Sequence, residues 1–398
     1  MRINKTVKII LSVLIGIILC LAALFCYVNF NFFDEGELDL LALVIFFLSL
    51  TAFFVLWNTK SSKFVYLLLI LPLLFFAGPV SMEIEWRHYK YVNTIPRMSE
   101  EIDRLSDYQP GIIDDPVPRS KLARLNGEAT LKIKDNLPVL DGATALYPLY
   151  SSFVDAVYPL AVYYRWNEDS IVLCSRTPYA YDNLLNGKVD LIFCFEPSAS
   201  QREQFIEKGF KLNLVPIGKD AFVFFVNKKN SVNNLTVKQI QGIYSGRIRN
   251  WIRLGGKLQS IKPFQRAKNS GSQTILEKIM GDIPIIKSKG ETVVEYMHSV
   301  FYEVASYRNF NNAIGYSFLW YAAEMINNDQ IKLLSINGVP PSKETIQNET
   351  YPFSQNIYAI YVDDNKKKEN IELFIKWILS DQGQGLVSKT GYIPVKRE

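Results

Sequence analysis

The stretch Gln265-Arg266-Ala267-Lys268-Asn269-Ser270-Gly271-Ser272-Gln273-Thr274 lies between a strand-like run, Ile261-Lys262-Pro263-Phe264, and a helical one, Ile275-Leu276-Glu277-Lys278-Ile279-Met280. A helix opening at Ser-Gly-Ser leaves its first backbone N–H groups without intrahelical acceptors and puts the positive end of the helix dipole behind them. Gly271 lets that backbone approach a ligand closely. Ser270 and Ser272 add hydroxyls, and Arg266 adds a permanent charge with a planar fork of donors suited to oxyanion oxygens. The same residues also read as an ordinary Ser N-cap beside a surface Arg, so the rest of the chain has to decide.

The chain has 398 residues, enough for more than one domain, and 48% of them are hydrophobic, with the excess gathered at the N-terminal end. A net charge of +5 without a basic block interleaved with aromatics argues against nucleic-acid binding. Cys20 and Cys26 lie in an apolar run and Cys174 and Cys194 end two strand-like segments, a scatter that makes neither a zinc site nor a disulfide framework. With only His88 and His298 as histidines, no metal site or Ser-His-Asp arrangement is expected, and no cofactor.

Residues 9–28, 40–57 and 64–80 are apolar runs long enough to span a bilayer core, the third with a kink expected at Pro72. Arg2, Lys5 and Lys8 precede the first and Lys60 and Lys63 separate the second from the third, whereas the intervening loop carries Asp34, Glu35, Glu37 and Asp39. Positive loops stay cytoplasmic, so three transmembrane helices over residues 1–82 place the remainder outside the cytoplasm. The long first span lacks a small-residue cleavage site, and bulky Leu19 and Phe25 precede the two cysteines, so an uncleaved anchor is expected in place of a signal peptide or lipid modification. Residues 83–136 are polar, with a short helix expected over 98–108 and prolines at 110, 116 and 118. They read as an extracytoplasmic stalk, part of which could equally pack on the domain that follows.

From Leu137 the pattern alternates strand and helix. Strands are expected at 137–140, 170–174 and 189–195, with helices after each, and this order implies a parallel sheet with crossover helices. The loops after those strands carry Asp141-Gly142-Ala143-Thr144-Ala145, Ser175-Arg176-Thr177-Pro178 and Glu196-Pro197-Ser198, at the sheet end where such folds bind ligands. A strand over 221–226 opens a second unit that contains a helix near 236–244, the Arg266 to Ser272 site and a buried strand at 313–316. The chain returns to the first unit through 358–362 and closes with helices over 366–379 and up to Gly391. Two lobes with donors on both imply a cleft between them.

Asp141-Gly142-Ala143-Thr144, Val189-Asp190, Val226-Asn227-Lys228-Lys229-Asn230, Asn233-Asn234-Leu235-Thr236, Ile243-Tyr244-Ser245-Gly246, Asn250-Trp251, Arg266-x-x-x-Ser270-Gly271-Ser272, Ile314-Gly315-Tyr316 and Gly391-Tyr392-Ile393-Pro394 occur in that order. As an ordered set they resemble the phosphate-binding protein of bacterial high-affinity phosphate ABC transporters. The resemblance covers about residue 137 to the C-terminus and leaves the N-terminal spans outside it. It implies an α/β type II periplasmic-binding-protein fold: lobe 1 from residues 137–218 and 340–398, lobe 2 from 219–339, closing on a desolvated oxyanion. It also implies Thr144 and the Ala145 N–H as donors of the first loop, and Thr177 as a hydroxyl donor for which Ser175 competes. Arg266, Ser270, Gly271 and Ser272 fill the Arg-x-x-x-Ser-Gly-Thr cluster, with Ser at its last position. The family has an Asp one position earlier than Glu196 relative to the following Pro; Glu196 is expected to act as acceptor for a protonated phosphate, and a solvent-facing Glu196 would lose discrimination against sulfate. The implied sheet order separates Cys174 from Cys194 by the Leu137 strand, beyond disulfide reach, with both expected to be buried small hydrophobes.

The expected activity is binding of phosphate or a related tetrahedral oxyanion for uptake, with ABC-transporter permease subunits as partners. Lobe closure would serve an oxyanion sensor coupled to a membrane partner equally well. An enzyme is disfavoured because no activated nucleophile is paired with a base.

Overall fold

A computed structural model describes residues 105–111, 121–167, 169–287, 293–294, 312–326 and 329–395. The chain divides into two compact units, Met1–Val92 and Asn93–Glu398. The three apolar runs expected as spans, with Cys20, Cys26 and both histidines, lie outside the described residues. Among the described residues no helix is long and apolar enough to cross a membrane.

In chain order the second unit contains β1 (Leu140–Gly142), α1 (Tyr147–Val157), α2 (Arg176–Leu185), β2 (Leu191–Cys194), α3 (Ala199–Glu207) and β3 (Leu212–Asn227). There follow β4 (Asn234–Leu235), α4 (Val237–Tyr244), β5 (Lys262–Pro263), β6 (Gln265–Arg266), α5 (Gly271–Met280), β7 (Val293–Val294) and β8 (Ala313–Phe318). The last elements are β9 (Ile331–Leu333), β10 (Ser335–Ile336), α6 (Lys343–Gln347), β11 (Ser354–Val362), α7 (Lys368–Ile378) and α8 (Asp381–Thr390). The main sheet runs β1-β2-β11-β3-β8-β5, with β9 also on β3.

β3 organises this sheet. Its first part, Leu212 to Ala221, pairs antiparallel with β11, and from Phe222 onward it pairs with β8 and then also β9. A single strand therefore joins the β11 side of the sheet to the β8 side. The expected strand over 221–226 is only the second part of β3, which begins at Leu212 and runs through Pro216 and Gly218. The structure accommodates both: the register with β11 shifts between Ile357 and Tyr358, opposite Gly218 and Pro216, so the irregularity falls where proline has no N–H to give. β8 is buried along its whole length, as expected for a strand covered on both faces.

The strand expected over 170–174 shrinks to one bridge between Val172 and Leu140. The next rungs would use the Gly142 and Ser175 N–H groups, and the Asp141 carboxylate takes both; on the outer edge Ser170 turns its hydroxyl back onto the Val172 backbone and Cys174 N–H goes to the Arg165 carbonyl. β1 nonetheless lies between Val172 and β2, the order the resemblance implies. Neither Cys174 nor Cys194 is in a disulfide; Cys194 is buried, but Cys174 is only half-buried because its segment sits at the sheet edge.

Residues 121–136 lie on this sheet domain. Leu122 and Ile133 are buried, Thr130 donates twice to Gln382 Oε1 from α8, and Lys389 reaches the Arg124 carbonyl. Helix ends follow local chemistry: Ser198 and Thr236 form capping boxes with Gln201 and Gln239, and α8 stops at Gly391, whose φ of 102° suits glycine.

Candidate functional site

On the second lobe, β6 leads into a turn that passes through the left-handed region at Asn269 (φ 64°) before Ser270 becomes extended. Ser270 Oγ accepts the Gln273 N–H at 3.3 Å, and the Thr274 N–H goes to the Ser270 carbonyl at 3.0 Å. Ser270 is thus the N-cap of α5, and the amides of Gly271 and Ser272 precede the helix's first internal hydrogen bond. Ser272 is 1% exposed, and its hydroxyl has no hydrogen-bond partner among the described residues. Such a buried hydroxyl costs about 1–3 kcal/mol unless something else satisfies it.

Arg266 is 7% exposed. Its backbone N–H is shared between Tyr316 Oη at 2.8 Å and Gln273 Oε1 at 3.0 Å, and Tyr316 in turn donates to Gln273 Oε1. Gln273 therefore ties the β6 end to the first turn of α5, fixing Arg266 against Ser270–Ser272. Burial pushes the Tyr316 phenol above its ordinary range, and the neighbouring Arg266 only partly opposes that, so Tyr316 remains a neutral donor.

On the first lobe, Asp141 sorts the two competing hydroxyls. Its carboxylate accepts from its neighbour Gly142 N at 2.7 Å, Ser175 N at 2.8 Å, Asn183 Nδ2 at 2.9 Å and the Ser175 hydroxyl. Burial raises the Asp141 pKa, with those hydrogen bonds pulling it back. Ser175 is spent on this structural knot. The backbone then turns through Arg176 at φ 75°, and Thr177 emerges elsewhere: the place a Cβ on Gly271 would take is 3.3 Å from Thr177 Oγ1 and 3.6 Å from the Phe195 ring. The structure thus brings Thr177 to Gly271. Thr144 and Ala145 form a 3-10 turn at the end of β1, placed beside β2 by the Ala143 N–H to Phe193 carbonyl bond, and the Ala145 carbonyl is held by the Tyr392 hydroxyl.

Glu196 is placed differently from the expectation. Its side chain is 38% exposed and pairs with Lys278 Nζ at 3.2 Å and Arg202 at 3.9 Å, while Tyr358 Oη donates to it at 3.2 Å. Lys278 belongs to α5, so this pair joins the lobes. A second joint lies deeper, where Asn269 Oδ1 accepts from the hydroxyls of Ser198 and Ser200, both at 2.9 Å. Phe195 stacks on Phe318 with ring centroids 3.7 Å apart. Sequence reasoning missed Asn269, Lys278, Ser200 and Phe195 as cleft residues; the left-handed turn at Asn269 was foreshadowed by Asn-Ser-Gly, but the others carry no local signal. Among the described residues no group of three His, Cys, Asp or Glu side chains could hold a metal ion.

A model described as a PBP superfamily domain matches residues 176–382, just over half of the chain, and the chain belongs to that superfamily. Among curated proteins it is similar to the phosphate-binding protein PstS of Borreliella burgdorferi, with 27% identity over 53% of this chain and 76% of that one. The PstS of Staphylococcus saprophyticus is 26% identical over 56% of this chain and 70% of its own. Among solved structures, an ABC-type phosphate transport receptor from Vibrio cholerae aligns with a TM-score of 0.48 and 20% identity, covering 66% of this chain and all of the other (100%).

Proposed function

We propose that the protein is an extracytoplasmic solute-binding protein that holds inorganic phosphate, or a related tetrahedral oxyanion, between its lobes and delivers it to an ABC transporter. Residues 137–218 with 340–398 form one lobe and 219–339 the other, hinged where β3 changes partners. The observation that carries the reading is the first turn of α5: a buried Ser272 hydroxyl without a partner among the described residues, beside the Gly271 and Ser272 amides and buried Arg266, closed against Thr177. Arg266, Ser270, Gly271 and Ser272 hold the anion from the second lobe, and Thr144, Ala145 and Thr177 from the first. Glu196, expected as an acceptor, fastens the lobes through Lys278 in this reading. The relatives named as phosphate-binding proteins support the choice of ligand. The apolar runs at 9–28, 40–57 and 64–80 anchor the domain to the membrane, and permease subunits are its partners.

Binding needs no covalent step. Isothermal calorimetry of the purified full-length chain with sodium phosphate tests the reading: saturable heat is expected, and Arg266→Ala abolishes it. Absence of heat at millimolar phosphate refutes the proposal.

A further inference from the structure

Among the described residues, the Gly271 and Ser272 amides and the Ser272 hydroxyl at the first turn of α5 are donors, the Gln273 and Asn269 side-chain oxygens are already taken, and the acids Asp141, Glu196 and Glu277 are engaged elsewhere. Asp141 takes four donors from Gly142, Ser175 and Asn183. Glu196 is held by Lys278, Arg202 and Tyr358 at the partly exposed rim. Glu277 is exposed, and its carboxylate is 3.5 Å from Gln273 Nε2. The side chain that meets Gly271 beside Thr177 is the phenyl ring of Phe195, 1% exposed and clamped on Phe318. Its position is also fixed from behind, since the Phe195 carbonyl accepts the Tyr181 hydroxyl at 2.7 Å.

A phenyl ring cannot accept a proton from a ligand, whereas a carboxylate in its place would accept one and would repel a fully ionised anion. Hydroxyls can turn to accept, but each that does so gives up a donor to the anion. A site made this way favours the ligand with the most negative oxygens and the fewest protons. We infer that Phe195 is a specificity-determining residue that opens the site to fully ionised tetrahedral oxyanions of the sulfate class as well as to phosphate in its more ionised form. The inference rests on the anion-site reading above and names the ligand class of that same site.

The test is calorimetry of the full-length chain with sodium phosphate and sodium sulfate at about pH 6.5 and about pH 8.5, with Phe195→Asp and Phe195→Leu alongside. Sulfate is expected to bind within about tenfold of phosphate, because among the described residues a phenyl ring stands where a carboxylate would reject it. Phosphate tightens toward the higher pH and sulfate does not. Phe195→Asp weakens sulfate by about 100-fold or more while phosphate is retained, and Phe195→Leu leaves the ratio unchanged. The wild-type pair of titrations decides the matter even if the buried Asp prevents folding. Tight phosphate with sulfate weaker by about 100-fold or more overturns the inference and leaves the anion site standing. Silence toward both anions removes both.

Discussion

Asn269 and Ser198 meet across the cleft at 2.9 Å, 71 residues apart in the chain, and the same Asn269 oxygen takes a second hydroxyl from Ser200. Asn269 stands one residue before the N-cap of α5, and Ser198 is itself the N-cap of α3. Two helix starts from opposite lobes are thereby fastened to each other, beside the place where Gly271 faces Thr177.

Removing that fastening weakens binding without unfolding either lobe. Asn269→Gly keeps the left-handed backbone and deletes only the acceptor. At about 0.5–1.5 kcal/mol per hydrogen bond, losing two lowers anion affinity by roughly 5- to 150-fold. Calorimetry reads the affinity and thermal melting checks that the fold is intact.

Gly271→Ala separates helix stability from closure. Alanine suits a helix start no worse than glycine does by propensity, but its Cβ meets Thr177 Oγ1 at 3.3 Å and the Phe195 ring at 3.6 Å. The melting temperature is expected to hold, while anion affinity falls by up to about tenfold, because the Thr177 hydroxyl must give by a few tenths of an ångström to admit the methyl. A variant that binds normally would show that the contact yields without cost.

Ser272→Ala has opposite effects on the two states. In the unliganded protein it deletes a buried hydroxyl that has no partner among the described residues, so stability is unchanged or rises by up to about 1 kcal/mol. Anion affinity drops by about tenfold, the loss of one donor hydrogen bond. Ser270→Ala contrasts with it, costing about 1 kcal/mol of stability through loss of the cap. Denaturant melts of both variants with and without phosphate distinguish the roles.

Asp220 makes stability depend on pH. It is 2% exposed, lies on β3 where the strand passes between lobes, and accepts from Ala221 N at 2.7 Å and Trp320 N at 3.3 Å through one oxygen, while the other has no partner among the described residues. Burial pushes its pKa up to about 7, with the two backbone hydrogen bonds opposing the shift. The folded state therefore holds a proton that the unfolded state releases near its ordinary 3.8. That contribution is fully present below the ordinary value and is lost as pH rises toward about 7, so stability falls across this window. Asp220→Asn is expected to flatten the slope and to raise stability near pH 8 by about 1–3 kcal/mol, as thermal melts over a pH series would show.

The alternation of strands and helices from residue 137, the buried β8 and the Ser-capped start of α5 were legible because each depends on neighbours within one or two turns of chain. Capping, periodicity and glycine at a helix end are local chemistry. The length of β3 was not legible, since Pro216 and Gly218 are tolerated only through the bulge opposite β11, a partner more than a hundred residues on. For the same reason the strand around Val172 read longer than it is: the Asp141 carboxylate takes the N–H groups of its next rungs, which a pattern of apolar residues does not display.

By itself the amino-acid sequence determined that a helix would begin at Ser270 with bare amides and an arginine just before it, because those requirements are met within ten consecutive residues. Only the tertiary structure decided what faces that helix. Ser175 is withdrawn by Asp141 and Thr177 is brought forward; Glu196 is drawn to Lys278, 82 residues away; and Phe195 fills the place beside Gly271. A side chain's role in a cleft is set by which charge or hydroxyl across the gap comes within about 3 Å, and that distance is fixed by the packing of two lobes on one shared strand.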